Sequence, residues 1–184
     1  WVLNYYNVCS IEFEEKIAKE FGKKYGVFVN SGSSACLLAL AALNLPKGCK
    51  VITPALTFST TLAPIIQLGF IPIFVDSNLT SYVPTVKVML EAITPDTKAI
   101  MVPNLIGNKP DFVALKAGLE ALNRTDIIVI EDSADTVTYT KESDVSTTSF
   151  YASHVITAGG MGGMVMFNAS NPAFKATKSG LLPI

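Results

Sequence analysis

The chain has 184 residues, of which 49% are hydrophobic and 16% charged, and a formal net charge of -1. That length and balance suit one globular domain with a real core and give no electrostatic case for nucleic acid. No apolar run reaches the roughly 18 residues that a membrane span needs, and no signal peptide is visible.

Ile11, Phe13, Ile17, Ala18 and Phe21 recur at near-helical spacing between charges, so residues 11–24 are predicted to form an amphipathic helix, loosened at its end by Gly22 and Gly26. Residues 27–29 read as a short strand and 30–34 as a turn. Residues 35–43 read as a helix that is apolar almost all round and therefore buried. A repeated rhythm follows: strand 51–53, helix 57–68, strand 72–75 ending at Asp76, helix 85–93 and strand 99–103. Helix 111–122, with Asp111 as its N-terminal charge, precedes strand 127–130, which ends at Glu131 and Asp132. Short apolar strands alternating with helices predict a three-layer α/β/α fold around a mostly parallel sheet.

In an open parallel sheet, ligands bind beyond the carboxyl ends of the strands. That rule selects residues 31–34, residues 54–58, the pair Glu131 and Asp132, and the surroundings of His154. The turn Ser31-Gly32-Ser33-Ser34 reads as a phosphate cradle at a helix N-terminus or as an ordinary serine N-cap. Phe58 either stacks on a planar ring or fills the core. Asp132, just past an apolar run, either holds a protonated ring nitrogen or caps the next element. His154 is the sole histidine. Ser149 and Tyr151 precede it and a glycine-rich turn follows, where glycine permits close backbone approach. The alternative there is a plain hairpin between residues 146–150 and 164–167. Cys9, Cys36 and Cys49 show no metal or redox spacing and fit a reducing compartment.

Five motifs stand in a recognisable order: residues 30–35 (NSGSSA), 51–58 (VITPALTF), 92–100 (AITPDTKAI), 130–134 (IEDSA) and 149–154 (SFYASH). Together they resemble the large domain of the DegT/DnrJ/EryC1/StrS sugar aminotransferases, vitamin B6 enzymes of the aspartate-aminotransferase fold. The resemblance implies that Gly32, Ser33, Ser34 and Ser149 bind the phosphate of pyridoxal or pyridoxamine 5'-phosphate. It implies that Phe58 stacks on the pyridine ring, that Asp132 meets its nitrogen, and that Asp135 lies near its hydroxyl. It also implies that the whole of 1–184 is the cofactor-binding part of a longer protein, without the C-terminal small domain.

The departure from the family pattern carries as much information. His154 stands where the aminotransferases have the lysine that links covalently to the cofactor, and a histidine cannot form that link. It can still act as a base near neutral pH. The pattern resembles the 3-dehydrase branch, which uses pyridoxamine phosphate to remove the C3 hydroxyl of nucleotide-linked 4-keto-6-deoxy sugars. There His154 would be the base, with Tyr151 as a catalytic companion. A catalytically silent cofactor-binding homologue is the alternative, and a sugar aminotransferase a third. The resemblance further implies a cytoplasmic homodimer. In some dehydrases it also implies an iron–sulfur cluster in the C-terminal part, served by a reductase, but no cysteine here is assigned to such a cluster.

Overall fold

The computed structural model describes the backbone of residues 2–168 and the side chains of residues 10–168. Helix α1 (Val2–Glu20) leads into β1 (Tyr25–Val29), α2 (Gly32–Ala41), β2 (Lys50–Pro54), α3 (Ser59–Gln67) and β3 (Ile71–Val75). Then come α4 (Val86–Glu91), β4 (Thr97–Pro103), a 3₁₀ turn (Leu105–Gly107), α5 (Phe112–Ala121), β5 (Ile128–Asp132), β6 (Val145–Ser149) and β7 (Gly163–Phe167). The strands form one seven-stranded sheet in the order β1-β7-β6-β5-β4-β2-β3. Strands β2 to β6 pair in parallel, and β7 runs antiparallel to β6 and to β1. The mostly parallel, three-layer expectation holds.

Alternation along each strand sorts the two faces. Met101, Ile130, Val145, Val165 and Phe167 face one way and pack with Ala35, Cys36, Ala39 and Leu40 of α2 and Ile65 of α3. Ile100, Val102 and Val129 face the other way, against Met89 of α4 and Phe112, Leu115 and Leu119 of α5. Met164 and Met166 continue that second face towards Ala18 of α1 and Phe21 just beyond it. Both faces are covered, which is why the central strands are continuous apolar runs.

Several boundaries differ from those predicted, each for a local reason. The first helix ends at Glu20 rather than residue 24, because Gly22 turns at φ +72° and Lys23 plunges inward. The Lys23 ammonium donates to the carbonyls of Thr140 and Ser143 and to the Ser143 hydroxyl. Helix α2 begins at Gly32 rather than residue 35, because Ser31 caps it: its Oγ accepts the Ser34 N–H at 3.1 Å. Helix α3 begins at Ser59, leaving Thr57 and Phe58 outside the helix. Asp111 is a true cap of α5, accepting the Ala114 N–H at 2.9 Å. The hairpin of β6 and β7 exists, and its long connection carries Tyr151 and His154.

Candidate active site

The carboxyl ends of β2, β4, β5 and β6 open onto a cavity of about 480 Å³. Its walls include Gly32, Ser33, Phe58, Asp132, Asp135, Ser149, Tyr151 and His154. These come from elements far apart in sequence, and the sheet topology brings them together. Ser34 is not among the lining residues: its N–H is spent on Ser31 Oγ, which itself donates to Ser34 Oγ. The cap is therefore present, and Ser31, Gly32 and Ser33 of the same turn line the cavity.

This turn rests on close packing. A Cβ on Gly32 would sit 2.7 Å from the Ser149 Cβ. Glycine is thus what lets the start of α2 touch the end of β6, setting Ser149 beside the positive end of a helix. Gly162 and Gly163 serve the same corner. A Cβ on Gly163 would lie 2.3 Å from the Ser31 carbonyl oxygen, and Gly162, at φ +113°, runs against the Phe28 ring. Neither lines the cavity, so these glycines allow backbone to meet backbone rather than backbone to meet a ligand.

Adjacent carboxylates on β5 part to opposite faces. Glu131 is fully buried and accepts from Asn104 Nδ2, Thr140 Oγ1, Ser143 Oγ and Ser146 Oγ at 2.7 to 3.0 Å. Asp132 turns towards α2 and α3 at the cavity floor. Thr61 Oγ1 donates to its Oδ2 at 2.7 Å, Thr147 Oγ1 reaches its Oδ1 at 3.3 Å, and Cys36 Sγ lies 3.5 Å from Oδ2. Burial pushes the Asp132 carboxyl above its usual range, and these hydrogen bonds pull it back. Burial, with Asp132 beside it, pushes the Cys36 thiol well up, so it stays a neutral donor. Among the described residues Asp132 forms no ion pair, and no lysine or arginine lines the cavity. A carboxylate held in that setting favours a cation supplied by a ligand.

Phe58 is 69% exposed and presents its ring at the wall, so it is not core. Tyr151 is likewise exposed and lies edge-on to His154, with ring centroids 6.3 Å apart. His154 is held by its own N–H, which donates to the Tyr151 carbonyl at 2.9 Å, and its Nδ1 is 3.5 Å from Asp135 Oδ1. Asp135 Oδ2 accepts the Ile106 N–H at 3.1 Å. Of the lysines nearest the histidine, Lys141 sits over the Tyr139 ring and not in the cavity, and Lys175 lies outside the described residues. The described residues hold no group of side chains that could bind a metal ion.

Residue patterns alone missed Thr61, Cys36 and Asn104. Asn104 follows directly on β4, so the carboxyl-end rule applied to every strand finds it. Thr61 and Cys36 sit inside helices, and nothing in their local sequence points at Asp132. The Oδ1 of Asn104 and the Oγ1 of Thr57, both at this cavity, are buried without a hydrogen-bond partner. These unpartnered atoms, the turn at Gly32, the exposed Phe58 ring and the buried Asp132 carboxyl share one cavity.

Residues 1–179 match the model of the DegT/DnrJ/EryC1/StrS aminotransferase family. The chain belongs to that family. Its similar relatives include a dTDP-4-dehydro-2,6-dideoxy-D-glucose 3-dehydratase of Saccharopolyspora spinosa, 38% identical over 84% of this chain and 36% of the relative. They also include a GDP-4-keto-6-deoxy-D-mannose 3-dehydratase of Escherichia coli O55:H7, 36% identical over 81% of this chain and 41% of the relative. Among solved structures, the E. coli GDP-4-keto-6-deoxy-D-mannose-3-dehydratase with bound hydrated PLP superimposes with a TM-score of 0.77 and 34% identity, covering 85% of this chain and 42% of that one. The fold of this DegT/DnrJ/EryC1/StrS chain is thus the large-domain fold of vitamin B6 enzymes. The chain spans about two fifths of the length of the curated relatives it matches.

Proposed function

We propose that this chain is the cofactor-binding part of a dehydrase that removes the C3 hydroxyl of a nucleotide-linked 4-keto-6-deoxy sugar, with His154 as the base. The observation that carries the reading is a cavity with a histidine and a buried carboxylate in its walls and no lysine among its described residues. The similarity to proteins named as 3-dehydratases supports it.

The residues present fit pyridoxamine phosphate. Gly32, Ser33 and Ser149 would hold the phosphate, Phe58 would cover the ring, and Asp132 would keep a proton on the ring nitrogen. Asp135 also lines the cavity. When bound, the cofactor supplies an amine for the C4 ketone and a ring that accepts electrons. His154 takes a proton at one ring nitrogen and returns it. Exposed Tyr151 offers a phenol beside it for the departing hydroxyl. The open cavity, with Phe58 and Tyr151 on its exposed rim, suits completion of the site by a second copy in a homodimer. A reductase partner would be needed only where the full-length protein carries a redox cluster.

The test is incubation of the full-length protein with pyridoxamine phosphate and a nucleotide-linked 4-keto-6-deoxy sugar. A keto sugar lacking the C3 oxygen is expected by mass spectrometry and proton NMR. Conversion to an amino sugar that retains the C3 hydroxyl would overturn the reading.

A further inference from the structure

The geometry points to Asp135 as a positioning residue that fixes the proton on His154 Nδ1 and so leaves Nε2 free to act as the base. This rests on the proposed role of His154 but adds a residue and a mechanism to it. Asp135 Oδ1 is 3.5 Å from Nδ1, beyond an ordinary hydrogen bond but within ion-pair reach. Catalytic contacts of this kind are often long before a ligand closes the site. Nε2 has no hydrogen-bond partner among the described residues.

The backbone holds the carboxylate from its other side. Ile106 donates to Asp135 Oδ2 from a residue at φ 54°, ψ 33°. A β-branched residue in the left-handed region is strained, and Ile106 recovers little by burial, since it is 72% exposed. The turn between β4 and α5 is thus held in a costly conformation whose visible product is one N–H aimed at Asp135. With that oxygen occupied, the remaining one faces the imidazole. A carboxylate only accepts hydrogen bonds, so it favours the tautomer with the proton on Nδ1. The other titratable groups at the cavity are Asp132, Cys36 and Tyr151; no lysine or arginine lines it to compete for Asp135.

Asp135→Asn discriminates sharply. The Ile106 N–H would claim the amide oxygen, which turns the NH₂ towards His154 Nδ1 and favours the opposite tautomer. The experiment uses full-length protein labelled with ¹⁵N-histidine and free of cofactor, at a pH where the imidazole is neutral. The His154 signal is assigned by its loss in His154→Asn. The parent is expected to carry its proton on Nδ1, and Asp135→Asn to move it to Nε2. In the loaded enzyme, kcat for dehydration should fall by about 10-fold or more. Asp135→Ala, which removes the side chain of a residue 41% exposed, should give a mixture of tautomers and a similar loss. An unchanged tautomer in both variants overturns the inference, as does a changed tautomer with parental kcat. A parent that performs no dehydration counts against the proposed function, while the tautomer measurement still decides the role of Asp135.

Discussion

Thr61 Oγ1 donates to Asp132 Oδ2 across 2.7 Å, from the layer of helices to the end of a central strand. The threonine is fully buried, so the hydroxyl is dedicated to this carboxylate. It is also the largest of the hydrogen bonds that draw the Asp132 carboxyl back down against burial. Thr61→Val keeps the shape and removes the donor. It should destabilise the fold by about 1–3 kcal/mol, the usual cost of stranding a buried acceptor, and weaken binding of pyridoxamine phosphate. Urea unfolding and a cofactor absorbance titration measure the two effects. Parental values in both would show that Thr61 only fills space.

Gly32→Ala tests the cradle. The new Cβ would fall 2.7 Å from the Ser149 Cβ and 3.1 Å from its Oγ. Both partners are anchored, one in a helix and one in a strand, so relief requires the α2 terminus to move away from Ser149. Phosphate-bearing ligands should bind at least ~10-fold more weakly, with a stability loss of about 1–3 kcal/mol from overpacking. Isothermal titration with pyridoxamine phosphate and a thermal melt are sufficient. Unchanged affinity would move the phosphate site elsewhere.

Lys23 makes stability depend on pH in an unusual direction. Burial lowers its pKa from the ordinary lysine value of 10.5 to about 8, although Glu131 nearby works the other way. Between these two values the folded chain has released the proton and the unfolded chain still holds it. The unfolded state then binds more protons, so this group's contribution to stability rises with pH from about 8 to about 10.5 and is flat below. Urea midpoints of the parent and of Lys23→Met, compared at pH 7.5 and pH 10, isolate the effect. The parent should gain on the variant at the higher pH, and a constant difference would refute the assignment.

The absence of lysine from the described cavity predicts non-covalent cofactor binding. Borohydride treatment of the protein loaded with pyridoxal phosphate, followed by peptide mass spectrometry, should find no phosphopyridoxyl lysine. Modification of a single lysine in high yield would place a lysine where the structure shows His154.

The sheet was legible in the sequence because both its faces are covered. That gives β4 and β5 the unbroken apolar runs 99–103 and 127–130, whose ends can be counted. The carboxyl-end rule then led to Asp132 and His154. Phe58 and Asp132 each read two ways until the fold showed one ring exposed and one carboxylate facing the cavity. What stayed hidden were partners set by packing between layers. Thr61 and Cys36 look like ordinary helix residues, and they meet Asp132 only because α2 and α3 lie on the same face of β5. The glycines after His154 were expected to admit a ligand, and Gly163 instead admits the Ser31 backbone. The strain at Ile106 has no sequence signature, since isoleucine gives no hint of a left-handed turn.

In the proposed dehydration, His154 moves the proton that permits loss of the C3 hydroxyl. The most direct measurement is single-turnover dehydration by full-length protein preloaded with pyridoxamine phosphate, comparing the parent with His154→Asn on the same nucleotide-linked 4-keto-6-deoxy sugar. His154→Asn should bind pyridoxamine phosphate as the parent does and lose C3–O cleavage by roughly 10²-fold or more, the scale expected on removal of a general base. Dehydration by His154→Asn at the parent's rate would show that His154 is not the base.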